Sequence, residues 1–448
     1  MTGPAQHGGV AGRLFGRLVD TDGDPAADFA RPAREAIPGN FFRSVGAVFL
    51  VQLGDVLTGP KITLAWLLGA IGAPGYLLGL IVPIRESGSM LPQFAIAGFI
   101  HRQRVRKWVW VGGALVQALA VAAIGGVALL LDGRTAGWLI VGLLALFSLA
   151  RAFSSIAAKD VLGRTIPKTW RGQTTAWAAS AAGLVTIGAG IALLGLAGSR
   201  DDAGQYAWIV LGASLLWLLA AAVYARMREF PDTEAADAAE ADSAGMRLGL
   251  LKTDPLLRRF VITRCLLLCT ALSAPFYVSL AQAALGSPAR LLGAFLVASG
   301  LASLVSAPFW GRFADRSSRH VMKASAMLAA GTGLVVVAID AVDAALFESA
   351  WLLPLLYFVL TVAHQGARIG RKTYIVDIAA GDQRTDYVAV SNTAVGLVLL
   401  GTGALGAIGA AFSTPLVILV LSLLGLAGAR LAGHLPEAER EGAAGSPG

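Results

Sequence analysis

Polar and apolar positions along this chain come in blocks rather than in alternation. Twelve apolar blocks fall at about 45–68, 75–98, 108–131, 136–158, 173–198, 206–226, 260–284, 290–311, 320–339, 350–371, 387–411 and 415–432. Each approaches the roughly 20 residues that a spanning helix needs. Period-two alternation, which a membrane barrel requires, is absent. The pattern predicts an all-α membrane protein with twelve transmembrane helices. Residues 1–43 mix charge, Gly and Pro with no apolar run and no small-residue cleavage site, so a cytosolic tail is expected rather than a signal peptide.

Composition sharpens this. Charged residues make up 14% of the 448, against roughly 25% in soluble proteins, and 56% are hydrophobic. Too few charges remain to coat a soluble body, which argues against a soluble enzyme, a nucleic-acid-binding protein or a disordered chain. The net charge is +8. With the N-terminus in the cytosol, the loops after spans 2, 4, 8 and 10 carry Arg102, Arg104, Arg106, Lys107; Lys159, Arg164, Lys168, Arg171; Arg312, Arg316, Arg319, Lys323; and Arg368, Arg371, Lys372, Arg384. The other side carries Arg134, Arg200 and Arg290. This is the positive-inside bias. It places both termini in the cytosol of a bacterial-type inner membrane and accounts for the basic excess without a nucleic-acid partner.

Between spans 6 and 7, residues 229–242 hold six acids and no base. The expected organisation is a tail at 1–43, a six-helix bundle at 44–226, an acidic cytosolic linker at 227–258, a second bundle at 259–433 and a tail at 434–448. A shift of 213 residues lays Gly183, Leu184, Val185, Gly188 and Gly190 on Gly396, Leu397, Val398, Gly401 and Gly403. It also lays Gly98 on Gly311, Arg106 on Arg319, Lys159 on Lys372 and Arg171 on Arg384. One shift serving several helices predicts pseudo-symmetric halves, an arrangement found in transporters.

Gly311-Arg-Phe-Ala-Asp315-Arg316-Ser-Ser-Arg319 lies between spans 8 and 9. It resembles the loop signature of the major facilitator superfamily, G-x-x-x-D-R-x-x-R-[RK]. Together with the twelve spans and the central linker, the resemblance covers nearly the whole chain. It implies two bundles rocking about a central site, with spans 1, 4, 7 and 10 lining the cavity and spans 3, 6, 9 and 12 facing lipid. The charges agree, since the latter four spans carry none in their interiors.

The first-half loop departs from the signature. It runs from Gly98 to Arg106 with Arg102 where the family has its Asp. In the family that acid pairs with the start of span 11, here near Asp382 and Asp386. An inverted pair, Arg102 or Arg104 with Asp382 or Asp386, is therefore expected, beside a pair of Asp315 with the start of span 5 near Arg171. Both would hold the cytosolic side closed. The Gly-Pro pair of the drug–proton antiporters is missing from span 5, as is the sugar-porter signature after span 6.

Interior charges mark candidate site residues. Asp55 lies midway along span 1, ahead of Gly59-Pro60 and Lys61. A mid-membrane charge costs roughly 2.5–3.5 kcal/mol, so Asp55 needs a partner or must be neutral part of the time, as proton coupling requires. Arg85 and Glu86 are adjacent and point about 100° apart, so each should reach a neighbour on span 1. Arg151 on span 4 has His364 on span 10 as its mate under the shift. It reads either as a ligand for a substrate anion or as the partner of Asp55 or Glu86. Arg264, near the cytosolic end of span 7, is able to snorkel. Arg371-Lys372 and Lys159-Asp160 are expected at gate or headgroup contacts rather than at the central site.

No metal or cofactor is expected. Asp20, Asp22 and Asp24 are spaced like a calcium loop, but Arg31 stands at the twelfth position. No nucleotide-binding loop is present. The leading reading is a monomeric secondary transporter of a small solute, driven by protons, whose substrate is anionic or amphoteric because interior cations exceed acids. The alternative is a membrane-embedded enzyme or a lipid-handling or sensing relative on the same fold.

Overall fold

In the computed structural model, Phe15 and residues 29–92, 96, 99, 100, 102–195, 203–231, 249–314, 316–378 and 383–437 are described. They form helices and connecting turns. Asp20, Asp22 and Asp24 lie outside them. The helices are α1 (Arg31–Leu57), α2 (Thr63–Ala70), α3 (Leu78–Met90), α4 (Lys107–Leu130), α5 (Gly133–Thr165), α6 (Lys168–Gly195) and α7 (Ala203–Ala225). After the linker come α8 (Pro255–Leu266), α9 (Cys269–Leu272), α10 (Ala274–Leu285), α11 (Ala289–Ala314), α12 (Ser318–Asp343), α13 (Leu352–Ile378), α14 (Gln383–Phe412) and α15 (Thr414–Gly433). Ten helical segments among the described residues are long and apolar enough to cross a membrane. The blocks at 75–98 and 173–198 are helical in α3 and α6 but fall short of that measure.

Local chemistry explains the ends and the breaks. Asp254 caps α8 by accepting from the N–H groups of Leu256 and Leu257, with Pro255 at the first helical position. Ser317 and Ser413 cap α12 and α15 in the same way. The first span, expected as one helix over 45–68, starts earlier at Arg31 and is broken between Leu57 and Thr63. Pro60 removes an N–H and clashes with the carbonyl four residues back, Val56. That carbonyl is taken up by the Thr63 hydroxyl at 3.3 Å and the Gly59 N–H at 3.4 Å. Lys61 therefore sits in a turn and not on a helix face. The seventh span is likewise split, into α8, α9 and α10.

The N-terminal helices pack as α4 on α5 and α7, and α1 on α6 and α7. The C-terminal helices pack as α12 on α13 and α15, and α11 on α13. Two seams join the sets, α3 with α14 and α6 with α11. Both are close backbone approaches: a Cβ on Gly190 would come within 2.9 Å of the Gly293 carbonyl, and one on Gly79 within 2.3 Å of the Ala407 nitrogen. Gly403, the mate of Gly190 under the 213-residue shift, lies on the α3–α14 seam against Pro83.

Glu229 pins the entry to α4. Its buried carboxylate accepts from the N–H groups of Arg106 at 3.0 Å and Lys107 at 2.7 Å, so an anion sits at the positive helix end. Lys107 Nζ in turn donates to the carbonyls of Ala225 and Met227 at the end of α7. Glu229→Ala is expected to lower stability by about 1–3 kcal/mol. Denaturation of the purified protein checks this, and an unchanged midpoint would refute it.

Candidate functional site

Asp55 occupies the last turn of α1, just ahead of the break. Two guanidinium groups converge on it. Arg85 Nη2 from α3 donates to Oδ1 at 3.0 Å, and Arg151 Nη2 from α5 donates to Oδ2 at 2.5 Å. The three side chains keep 24, 16 and 23% exposure respectively, so they border open space rather than lie sealed in the core. An aromatic wall backs them. The Arg85 guanidinium lies 4.8 Å from the Phe147 ring centroid, and Phe147 packs edge-on against Trp217 at 5.3 Å. Trp217 presses on Gly54, where a Cβ would come within 2.7 Å of the indole. Gly54 thus lets α7 support the turn that presents Asp55. The cluster carries a formal charge of +1.

A second constellation joins the two sets of helices. Lys61, in the α1–α2 turn, lies 2.9 Å from His364 Nε2 on α13. His364 Nδ1 lies 3.0 Å from the hydroxyl of Thr270 on α9, and that hydroxyl donates to the Leu267 carbonyl at 2.9 Å. An ammonium group only donates, so with Lys61 charged Nε2 accepts. The ring is then neutral and its proton rests on Nδ1. Glu86 on α3 lies in electrostatic range of Lys61, Arg85, Arg368 and Arg371. Arg371, expected at a peripheral gate contact, therefore acts on the same site as Glu86. Arg368, one turn earlier on α13, acts on the same groups.

Arg264 does not snorkel. It is 8% exposed and donates to Ser391 Oγ at 2.6 Å and Asn392 Oδ1 at 2.8 Å on α14. These two polar acceptors, adjacent in sequence, take two of its N–H groups, while the buried Nε has no hydrogen-bond partner. The correction follows from α8 packing against α14, which one sequence does not reveal.

The gate-motif residues divide. Gly98, Asp315 and Asp382 lie outside the described residues, and the side chain of Asp386 is not described. Arg102, Arg104 and Arg316 are exposed, and Gly311 faces open space. Arg106 donates to Asp160 of α5 at 2.9 Å. Arg319 donates to the Leu435 carbonyl and to Glu437, each at 2.8 Å. Arg171 donates to the carbonyls of Gly163 and Ile166 at the end of α5. Each of these bonds stays within its own set of helices.

Sequence reasoning did not single out an aromatic cluster at the end of the molecule away from the basic loops. Trp66 on α2 meets Tyr206 on α7 at 6.0 Å and Phe295 on α11 at 6.5 Å, and Phe295 meets Tyr357 on α13 at 5.2 Å. All four rings are buried, and the Tyr206 hydroxyl donates to the Ser287 carbonyl. Gln282 of α10 adds a bond to the Trp66 carbonyl at 3.0 Å. The one signal available was aromatic residues near the corresponding ends of several spans. Tyr277 is buried with an unpaired hydroxyl, and the buried Trp66 indole N–H likewise has no partner.

The comparisons with known proteins agree with this architecture. No curated protein sequence matches the chain. Among solved structures, a D-xylose–proton symporter is 12% identical with a TM-score of 0.67, covering 90% of this chain and 99% of that one. The inward-open xylose transporter XylE from E. coli gives 12% and 0.61, over 90% and 98%. A POT family transporter in complex with 5-aminolevulinic acid gives 12% and 0.62, over 87% and 95%. At such identities the likeness shows the fold. The family model of the Major Facilitator Superfamily matches residues 44–339, and with the membrane-length helices this shows that the chain is a multi-pass membrane protein belonging to that superfamily.

Proposed function

We propose that the chain is a secondary active transporter that moves a small anionic or amphoteric solute by alternating access, coupled to protons. The observation that carries the reading is the pair of arginines on Asp55. Two guanidinium forks aimed at one carboxylate in a part-open space make a ready site for a second carboxylate or a phosphate. The cation surplus supports it, because Lys61, Arg368 and Arg371 stand around Glu86 close by. The aromatic cluster and the glycine seams support a state closed at the end away from the basic loops. Relatives by fold include proton symporters of D-xylose and of fucose, and a POT family transporter in complex with the amphoteric 5-aminolevulinic acid. Proton coupling and transport rather than catalysis come to this chain by that analogy and by the titratable groups of the site. On this reading twelve spans form two six-helix halves, 44–226 and 259–433. They are joined by the acidic linker at 227–258 and related by pseudo-symmetry. Both termini are cytosolic, and a monomer works in a bacterial-type inner membrane.

The test is thermal stability of the purified protein against a panel of anions, amphoteric solutes and cations, for wild type and Arg151→Gln. A bound solute at 100 times its Kd stabilises by about 2.7 kcal/mol. An anion that stabilises wild type and not Arg151→Gln is expected, and in vesicles the same solute should drive proton movement. Stabilisation by cations alone, or by anions regardless of Arg151, would overturn the reading.

A further inference from the structure

Arg102 and Arg104 are not used by the central site, and Arg102 reverses the sign of the acid that the family signature carries. Both are exposed, and both edge a groove of about 830 Å³ between α4 and α5. The groove runs from this loop down an apolar wall of Trp108, Val116, Leu149 and Phe153. Its floor includes bare backbone at Gly112, where nothing lies within 4 Å of an added Cβ. The rim is held in place rather than loose: Glu229 fixes the N–H groups of Arg106 and Lys107, and Asp160 fixes the Arg106 side chain.

We propose that this groove binds one anionic phospholipid from the leaflet beside the basic loops, its phosphate on Arg102 and Arg104 and an acyl chain along α4. The dimensions fit. From Lys107 to Val116 the helix rises about 14 Å, close to half of a hydrocarbon core of about 30 Å. Trp108 is 56% exposed at the mouth, the level at which indoles sit among headgroups. Leu146 of α5 lines the groove at 46% exposure, and beyond it Leu119 of α4 is exposed at 68%, so the apolar wall continues into surface suited to the bilayer. Two fork-shaped cations above such a wall match an amphipathic anion. A soluble phosphate would leave the wall unused, and a zwitterionic lipid would bring a cation against the two arginines.

Tryptophan quenching by bromine-labelled lipid tests this on the whole protein in nanodiscs. Brominated phosphatidylglycerol is compared with brominated phosphatidylcholine at equal mole fraction. Ten tryptophans contribute, so Trp108→Phe isolates the signal of the groove. Phosphatidylglycerol is expected to quench the Trp108 component at least twofold more than phosphatidylcholine. The excess should vanish in the Arg102→Ser/Arg104→Ser double variant. It should also vanish in Gly112→Leu, which fills the floor and keeps both arginines, so loss of the loop's fold is not the cause. Equal quenching by the two lipids, or an excess that survives both variants, would overturn the proposal. So would an excess abolished by soluble glycerol 3-phosphate, which would make the occupant a free phosphate.

Discussion

Asp55→Asn is expected to tighten anion binding by about ten- to hundredfold and to abolish accumulation of the solute against a gradient. In the structure the carboxylate holds both guanidinium groups that an incoming anion would use. A hydrogen bond to a charged group contributes roughly 1.5–3 kcal/mol net, and each 1.4 kcal/mol is a factor of ten in affinity. The carboxamide keeps the shape and one acceptor oxygen but no charge, so an anion no longer has to displace an ion. Two guanidinium groups left without their counter-charge also repel, so the free variant should melt below wild type, and adding Arg151→Gln should recover part of the loss. Titration of the anion against wild type and Asp55→Asn, with proton-driven uptake in vesicles, checks this. Unchanged affinity together with unchanged uptake would make Asp55 a fixed structural anion.

How much of this was legible in the sequence depends on the range of each interaction. Apolar block length and loop charge are local, and ten helical segments among the described residues are long and apolar enough to cross a membrane. The break ahead of Thr63 was signalled by Gly59-Pro60, because a proline disrupts the carbonyl four residues before it wherever the helix packs. Even the conflict at Arg85 and Glu86 was readable: adjacent residues cannot share a face, and Arg85 turns to Asp55. Which partners was not readable. Asp55 receives Arg85 from 30 residues away and Arg151 from 96, Lys61 reaches His364 across 303, and Arg264 reaches Ser391 across 127. Those distances are closed by helix packing, and helices in lipid present several apolar faces of similar worth. For the same reason nothing in the sequence joins Trp66, Tyr206, Phe295 and Tyr357. Only the fold puts them in one layer. The signature loops show the converse, since their spacing was plain while the bonds of Arg106 and Arg319 turned back into their own helices.

His364 is expected to be the residue at which a single charge decides transport. Its ring ties Lys61 in the α1–α2 turn to Thr270 on α9, and so joins helices from both sets. The tie needs a neutral imidazole, because Lys61 offers only donors. Charged groups act on the ring from two elements, Lys61 from the turn and Arg368 and Arg371 from its own helix, while Glu86 on α3 acts on Lys61. A second proton on the ring sets two cations 2.9 Å apart. At an effective dielectric of about 20 the repulsion is about 6 kcal/mol, more than the one or two hydrogen bonds there can offset. The tie must then open. His364→Lys imposes that charge at every pH and should reduce transport by about 100-fold or more, in exchange as well as in uptake. His364→Gln keeps a neutral acceptor and a donor at similar reach. It should leave solute exchange within about threefold of wild type while proton-driven accumulation collapses, because the side chain no longer titrates. Exchange and uptake measured side by side in vesicles separate the roles. Accumulation by His364→Gln at the wild-type level would remove His364 from coupling, and wild-type exchange by His364→Lys would show that the Lys61 tie is not needed for movement.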